Sequence, residues 1–240
     1  MNSLSQAQQG PLRELSRERG GWRWRAVYHR DYHSPAFTAL LTDPDASLLR
    51  ATTIYKDDAI ATVWGIGLDG RRLVIKRHNP RGPWFALRHW GKPSRAARAW
   101  QNGWELLGCE LPTPTPAAFI EETRWGLPGR CYLLTEAVPG PHARAFFAAD
   151  ADAGETTSAA RRIARLLRGL WAAGFVHNDL KDTNVILTPE GPHLIDLDAL
   201  REYPPGRWRR YRRRRDRARF LRNWRRQPTL RRLFAELLPE

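Results

Sequence analysis

His177-Asn178-Asp179-Leu180-Lys181-Asp182-Thr183-Asn184, followed by Leu194-Ile195-Asp196-Leu197-Asp198, is the stretch on which the reading of this chain turns. An acid at Asp179, an amide five residues later at Asn184 and a second acid twelve residues beyond it reproduce the layout that phosphoryl transfer requires. That reaction asks little covalent chemistry of the protein. It needs an acceptor hydroxyl, a triphosphate and divalent cations held in line while negative charge is neutralised. Asp179 is placed to accept or orient the hydroxyl proton, and Asn184 and Asp196 supply hard oxygen donors suited to Mg²⁺. Lys181, two residues past Asp179, can lie over the transferring phosphate, and His177 braces the loop through a hydrogen bond. Asp198 stands as a supporting acid, either ligand or structural.

Upstream, Leu73-Val74-Ile75-Lys76 matches a strand lysine that holds the α- and β-phosphates of ATP. It closes a series of β-rich runs, Thr52 to Tyr55, Ala61 to Leu68 and Arg72 to Lys76, with Asp69-Gly70 between the last two as a hairpin signal. Gly65-Ile66-Gly67-Leu68-Asp69-Gly70 spells a glycine-rich phosphate loop, but it sits in the turn before the lysine strand rather than between the first two strands. Tyr55 to Ala59, which has no glycine, is the better placed lid. Helical spacing over Ser94 to Leu107 puts Ala97, Trp100, Trp104 and Leu107 on one face, and the Pro-rich Leu111 to Pro116 ends it. Arg130 to Glu136 reads as an apolar strand, and with Lys76 its last residue, Glu136, is the second candidate for the nucleotide side. Val138-Pro139-Gly140-Pro141 then reads as a link between lobes. A second helix is expected from about Thr157 to Ala173, with preceding Ser and Thr as caps and Gly174 as its stop.

Length and composition agree with this organisation. A chain of 240 residues with a 42% hydrophobic fraction can form one large domain or two small lobes with a real core. Cys109 and Cys131 have neither metal-ligand spacing nor secretory context, so reduced thiols in a cytoplasmic protein are expected. The polar opening Met1 to Gly10 does not resemble a signal peptide, and no stretch approaches a membrane span, so membrane contact would be peripheral. The net charge of +15 is concentrated at one end: residues 201–240 hold 15 arginines against Glu202, Asp216, Glu236 and Glu240. Within 207–226 the arginines alternate with aromatic residues. On a helix, Trp208, Tyr211, Arg215, Ala218, Leu221 and Trp224 would form one stripe, suggesting a docked terminal helix with solvated arginines outside. The arginines would also suit a peripheral anionic membrane surface. Nucleic acid ranks last, because no recognisable nucleic-acid fold surrounds the run.

The loop 177–184, the segment 194–198, the lysine strand, the run Ser94-Arg95-Ala96-Ala97-Arg98-Ala99-Trp100 before Leu111-Pro112-Thr113-Pro114, and the ending Arg215 to Trp224 together resemble the lipopolysaccharide kinases. That bacterial family phosphorylates Kdo or heptose in the inner core of lipopolysaccharide. The resemblance covers roughly Thr52 to Trp224. It implies an α+β, protein-kinase-like two-lobed fold, with a small antiparallel-sheet N-lobe and a compact, mostly helical C-lobe. It also implies ATP, Mg²⁺ and a sugar hydroxyl on an anionic glycolipid of the lipopolysaccharide core. The expected division is a flexible arm at 1–21, an N-lobe at 22–137 and a C-lobe at 138–240. Where many members carry a helix glutamate that pairs with the strand lysine, this chain has Ala99, and Glu105 lies on a different helical face. The rival enzyme is a small-molecule or atypical protein kinase of the same fold; about 44 residues after Asp196 are few for a regulated protein kinase. From another class, the rival is a catalytically weak kinase-fold module that binds anionic lipid or RNA.

Overall fold

The computed structural model describes residues 12–80, 82–88, 90–149 and 152–239. The chain divides into two compact units, one running up to Trp104 and including Thr115–Ala137, the other made of Glu105–Pro114 and Val138 onward.

The first unit is built on seven strands: β1 (Leu12–Arg19), β2 (Trp22–His29), β3 (Thr53–Asp57), β4 (Ala61–Leu68), β5 (Arg71–His78), β6 (Pro116–Arg124) and β7 (Leu127–Glu136). They form one antiparallel sheet in the order β1-β2-β6-β7-β5-β4-β3. Alternation of side chains decides the two faces. Tyr28, Ile120, Tyr132 and Leu134 point into one core with Trp64, Leu73 and Ile75, beneath Phe37, Leu40 and Leu41 of helix α1 (Pro35–Thr42). Their neighbours Val27, Phe119 and Cys131 point the other way, against Ala96 and Trp100. Helix α1 starts where the sequence chemistry demands: Ser34 Oγ accepts from Phe37 N at 2.9 Å and Pro35 occupies the first turn. Helices α2 (Gly82–Arg88) and α3 (Arg95–Gly108) precede β6, and the division between units falls within α3.

The arm expected at 1–21 is a strand from Leu12 onward; its first eleven residues lie outside the described part. β1 was not legible because its side chains, Leu15 apart, are exposed, so no apolar alternation marks it. Its register against β2, from Leu12↔His29 to Arg19↔Trp22, is set by the Gly20-Gly21 turn. Helix α1 was missed as well.

The second unit contains α4 (Ala143–Ala148), α5 (Ala153–Ala172), α6 (Arg207–Asn223) and α7 (Pro228–Leu237), with short strands β8 (Phe175–Val176), β9 (Val185–Leu187), β10 (Pro192–Leu194) and β11 (Arg201–Glu202). Ile163, Leu166, Leu167, Leu170 and Trp171 of α5 line its core together with Phe220, Trp224 and Phe234. Phe147, Phe220, Trp224 and Phe234 meet mainly edge to face, with centroids 5.0 to 5.9 Å apart. The cap of α5 is Asp152, whose carboxylate accepts from Glu155 N at 2.8 Å, not the Ser and Thr expected; those residues lie one turn inside the helix. Gly174, at φ +95°, does end the segment.

Helix α6, expected as the terminal helix but followed by α7, departs from its expected stripe. Trp208 and Tyr211 are exposed, and so is Ala218; the buried side runs through Asp216, Phe220, Leu221 and Trp224. The reason is Asp216, whose carboxylate is used inside the unit and turns the helix away from its first two aromatics.

Candidate active site

The loop after β8 is held from three directions. Backbone N–H of His177 donates to Asp216 Oδ2 at 2.9 Å, and Trp171 Nε1 donates to the same oxygen at 3.4 Å. His177 is buried, and its Nε2 lies 3.0 Å from the carbonyl of Ile195, which ties the loop to the segment carrying Asp196. Arg144 of α4 grips Asp182 through two hydrogen bonds of 2.8 and 3.0 Å, and Asp182 Oδ1 also accepts from Thr183 N. Asp182 is almost fully buried, so this charge-assisted fork supplies what water would otherwise provide.

Between these anchors the backbone takes conformations that side chains seldom favour. Asn178 sits at φ +64° and Asp196 at φ +62°. Asn and Asp tolerate this left-handed region better than other residues. At Asn178 the cost is offset by its own amide, which donates to the carbonyls of Val176 and Ala199 at 3.2 and 3.0 Å. Strain of this kind persists where the surroundings fix it, and it concentrates at functional sites.

The structure joins Asp179, Lys181 and Asn184 in one network and ties it through Ile195 to the segment that leads into Asp196. Lys181 Nζ donates to Asp179 Oδ2 at 2.6 Å, and Arg219 of α6 pairs with Asp179 Oδ1. Asn184 Nδ2 donates to the carbonyl of Asp179 at 3.0 Å, and the Asn184 carbonyl accepts from Ile195 N at 3.0 Å. Leu194 just before is pinned to the Pro-rich stretch, its N–H on Pro112 O at 2.9 Å and its carbonyl accepting from Thr113 Oγ1 at 2.7 Å. That explains why Glu105–Pro114 belongs with the helical unit. Asp198 is buried in the short turn Leu197–Ala199.

The donor chemistry suits Mg²⁺. Because Nδ2 of Asn184 is committed to Asp179, its Oδ1 is the amide atom left for a cation, and the backbone hydrogen bond from Ile195 ties Asn184 to the segment that carries Asp196. Among the described residues no group of three or more His, Cys, Asp and Glu side chains forms a metal cage. Mg²⁺ needs none, since one or two protein oxygens plus substrate phosphates and water complete its shell.

In the sheet unit, Lys76 lies on β5 opposite Val63 of β4 and Leu133 of β7. Glu136 ends β7, where its Oε1 accepts from Tyr32 Oη at 3.0 Å and from Arg71 at 2.7 Å. Burial and the adjacent Glu136 carboxylate push the Tyr32 hydroxyl well above its ordinary range, so it stays a donor. Gly65 and Gly67 lie within β4 and Gly70 in the following turn, as the sequence placed them. The glycine-free turn between β3 and β4 is closed by Asp58 instead. Its Oδ1 accepts from Ile60 N and Ala61 N, both at 2.8 Å, and Lys56 Nζ lies 2.9 Å from its Oδ2. Lys56 and those two N–H groups pull the Asp58 carboxyl down to about 2.

Sequence reasoning passed over Arg219, Asp216 and Arg144. Asp216 carried a signal: it is the one acidic residue between Arg207 and Arg226. Burial raises its pKa above the aspartate range, against the opposing pull of His177 and of donors from the loop.

The profile of the lipopolysaccharide kinase (Kdo/WaaP) family matches residues 86–237, more than half of the chain. The chain belongs to that family. As a lipopolysaccharide kinase it phosphorylates a sugar hydroxyl, with ATP as the donor that kinase activity implies. The matched range contains every loop residue named above and begins after Lys76. A solved structure titled "WaaP in complex with acyl carrier protein" is similar at 21% identity, covering 85% of this chain and 94% of that one with a TM-score of 0.50, and shows the protein-kinase-like fold. No curated protein matches the chain. Among the described residues no helix is long and apolar enough to cross a membrane.

Proposed function

We propose that this kinase phosphorylates a Kdo or heptose hydroxyl of the lipopolysaccharide inner core, working on its anionic glycolipid acceptor at the cytoplasmic membrane surface. The observation that carries the assignment of roles is the single network joining Asp179, Lys181, Asn184 and the Ile195-Asp196 segment. Asp179 receives or orients the proton of the acceptor hydroxyl. Lys181, now on the Asp179 carboxylate, is within reach of charge that develops on a phosphoryl group beside it. Asn184 and Asp196 hold Mg²⁺, which neutralises phosphate charge when bound. His177 and Asp198 support the loop from buried positions. Lys76 serves the α- and β-phosphates. Glu136 contributes to the nucleotide side by its place at the end of β7, because its carboxylate is engaged by Tyr32 and Arg71.

Residues 207–226 form the basic surface proposed to face anionic headgroups. Trp208 and Tyr211 support this, since they stay exposed and stacked at 5.3 Å, with Arg212 4.7 Å over Trp208.

Labelled ATP, Mg²⁺ and Kdo-bearing lipid A test the reading. Transfer to the glycolipid is expected, and Asp179→Ala should lower kcat by roughly 10²- to 10⁴-fold. Absence of transfer to any core lipid would remove the acceptor assignment, and undiminished transfer by Asp179→Ala would remove the role of Asp179.

A further inference from the structure

Three hairpins of the sheet unit turn through two residues that both lie in the left-handed region. These are Gly20-Gly21 at φ +57° and +77°, Asp69-Gly70 at +51° and +74°, and Trp125-Gly126 at +49° and +79°. Such turns favour Gly, Asn or Asp in both places, because a larger side chain crowds the backbone. Asp69 obeys and also accepts a hydrogen bond from Ser34 Oγ at 2.5 Å. Trp125 does not obey, and core burial does not explain it, for the residue is 67% exposed. A bulky residue held in a disfavoured conformation and left in solvent points to a use outside the fold.

Its surroundings are arranged to present it. β2 and β6 are neighbours in the sheet, so the tips of the β1–β2 and β6–β7 hairpins lie side by side. The Trp125 indole lies on Gly21, where a Cβ would come 2.0 Å from Nε1; only glycine fits beneath the ring. Arg124 stands 4.5 Å from the Trp125 ring and 5.3 Å from that of Trp22, between two exposed indoles. Trp90, 61% exposed, approaches Gly126 from the other side, where a Cβ would meet its Nε1 at 3.0 Å. Around these rings the exposed cations are Arg19, Arg23 and Lys92, and the carboxylate in the same register is Glu18, opposite Arg23.

We propose that this end of the sheet, Trp22, Trp90 and Trp125 with Arg124 between them, is an interfacial anchor that seats the unit on an anionic phospholipid bilayer. Indoles settle at the headgroup level, where the ring is half solvated, and guanidinium groups meet lipid phosphates there. The cation excess gives the charge complementarity. Leu127, exposed and paired with Arg124 in the same hairpin, adds one aliphatic side chain to the indoles. Helix α2, also in this unit, carries Trp84 at 83% and Leu87 at 54% exposure and extends the same chemistry. The anchor is distinct from residues 207–226 and does not depend on the roles given to Asp179 or the acceptor.

Co-sedimentation of the full chain with phosphatidylethanolamine–phosphatidylglycerol vesicles tests it, with phosphatidylcholine vesicles for comparison. The expected result is binding to the anionic vesicles alone and a loss of about tenfold in the double variant Trp22→Ser/Trp125→Asn. Trp125→Asn suits the turn and should not lower the Tm, which separates lost binding from lost folding. Quenching of tryptophan emission by bromine-labelled lipid in the wild-type protein is the second measurement, with quenching diminished in the double variant. Equal vesicle binding by wild type and variant overturns the proposal. So does capture of an acidic protein or nucleic acid through these residues without vesicle binding.

Discussion

The two units treat their charged residues in opposite ways. In the helical unit, the loop 177–184 is fixed by buried carboxylates: Asp216 holds the His177 backbone and Asp182 is locked by Arg144. In the sheet unit, the carboxylates near the proposed nucleotide side are solvent-facing, as with Asp58 in the β3–β4 turn, or half-buried, as with Glu136 between Tyr32 and Arg71. Asp182 is buried with both oxygens engaged, and Asp216 is buried with Oδ2 engaged by two donors; a buried acceptor is costly to leave unmade, whereas an exposed carboxylate stabilises a turn weakly. The loop 177–184 is therefore braced from within its unit, which suits the template role proposed for it.

The largest effect that would break this contrast is at Asp216. Asp216→Ala removes the acceptor for His177 N and should cost about 2–4 kcal/mol in chemical denaturation. A cost below about 0.5 kcal/mol would mean that the loop does not depend on it. Asp216→Asn sharpens the point through pH. Burial raises the native pKa of Asp216 above its unfolded value, so the stability linked to its protonated form is complete below the unfolded pKa, about 4, and is lost as pH rises toward the native one. The neutral Asn does not titrate; relative to wild type, Asp216→Asn should gain stability as pH rises from about 4 to 7. A constant difference across that range would contradict the raised pKa.

A smaller effect is expected at Arg219, about a third exposed in its pair with Asp179. Arg219→Ala should change stability by no more than about 1 kcal/mol, because the pair is partly solvated. As a positioning residue it should instead show in turnover: kcat lower by about tenfold, KM for ATP unchanged, and partial recovery in Arg219→Lys. A rise in KM alone would move Arg219 from the loop to substrate binding. The smallest effect belongs to Glu136→Gln, which retains an acceptor for the Tyr32 hydroxyl and loses the charge opposite Arg71; a stability change within about 1 kcal/mol is expected by thermal unfolding. A cost like that of Asp216→Ala would show that the sheet unit is as tightly braced as the loop.

Much of the loop was legible because its chemistry fixes spacing. Asp179 and Asn184 must lie on one tight turn, and the hydrogen bond from Ile195 N to Asn184 O sets how soon Asp196 can follow. The hairpin at Asp69-Gly70 and the stop at Gly174 were legible for a related reason, since a left-handed backbone demands particular residues. By contrast β1 left no trace, because an exposed strand needs no apolar alternation. The stripe of α6 was misread because hydrophobicity alone would bury Trp208 and Tyr211, while the helix rotates to bring Asp216 to the loop.

By itself the sequence determined the sheet-then-helix order and the family resemblance, which rest on local spacing and periodicity. Only the tertiary structure decided that Asp216, 39 residues from His177, and Arg219, 40 residues from Asp179, belong to that loop. The physical reason is that a buried carboxylate or a paired guanidinium is satisfied by whatever the fold brings near it. Nothing in the intervening residues encodes that partner; the packing of α6 against the rest of its unit does.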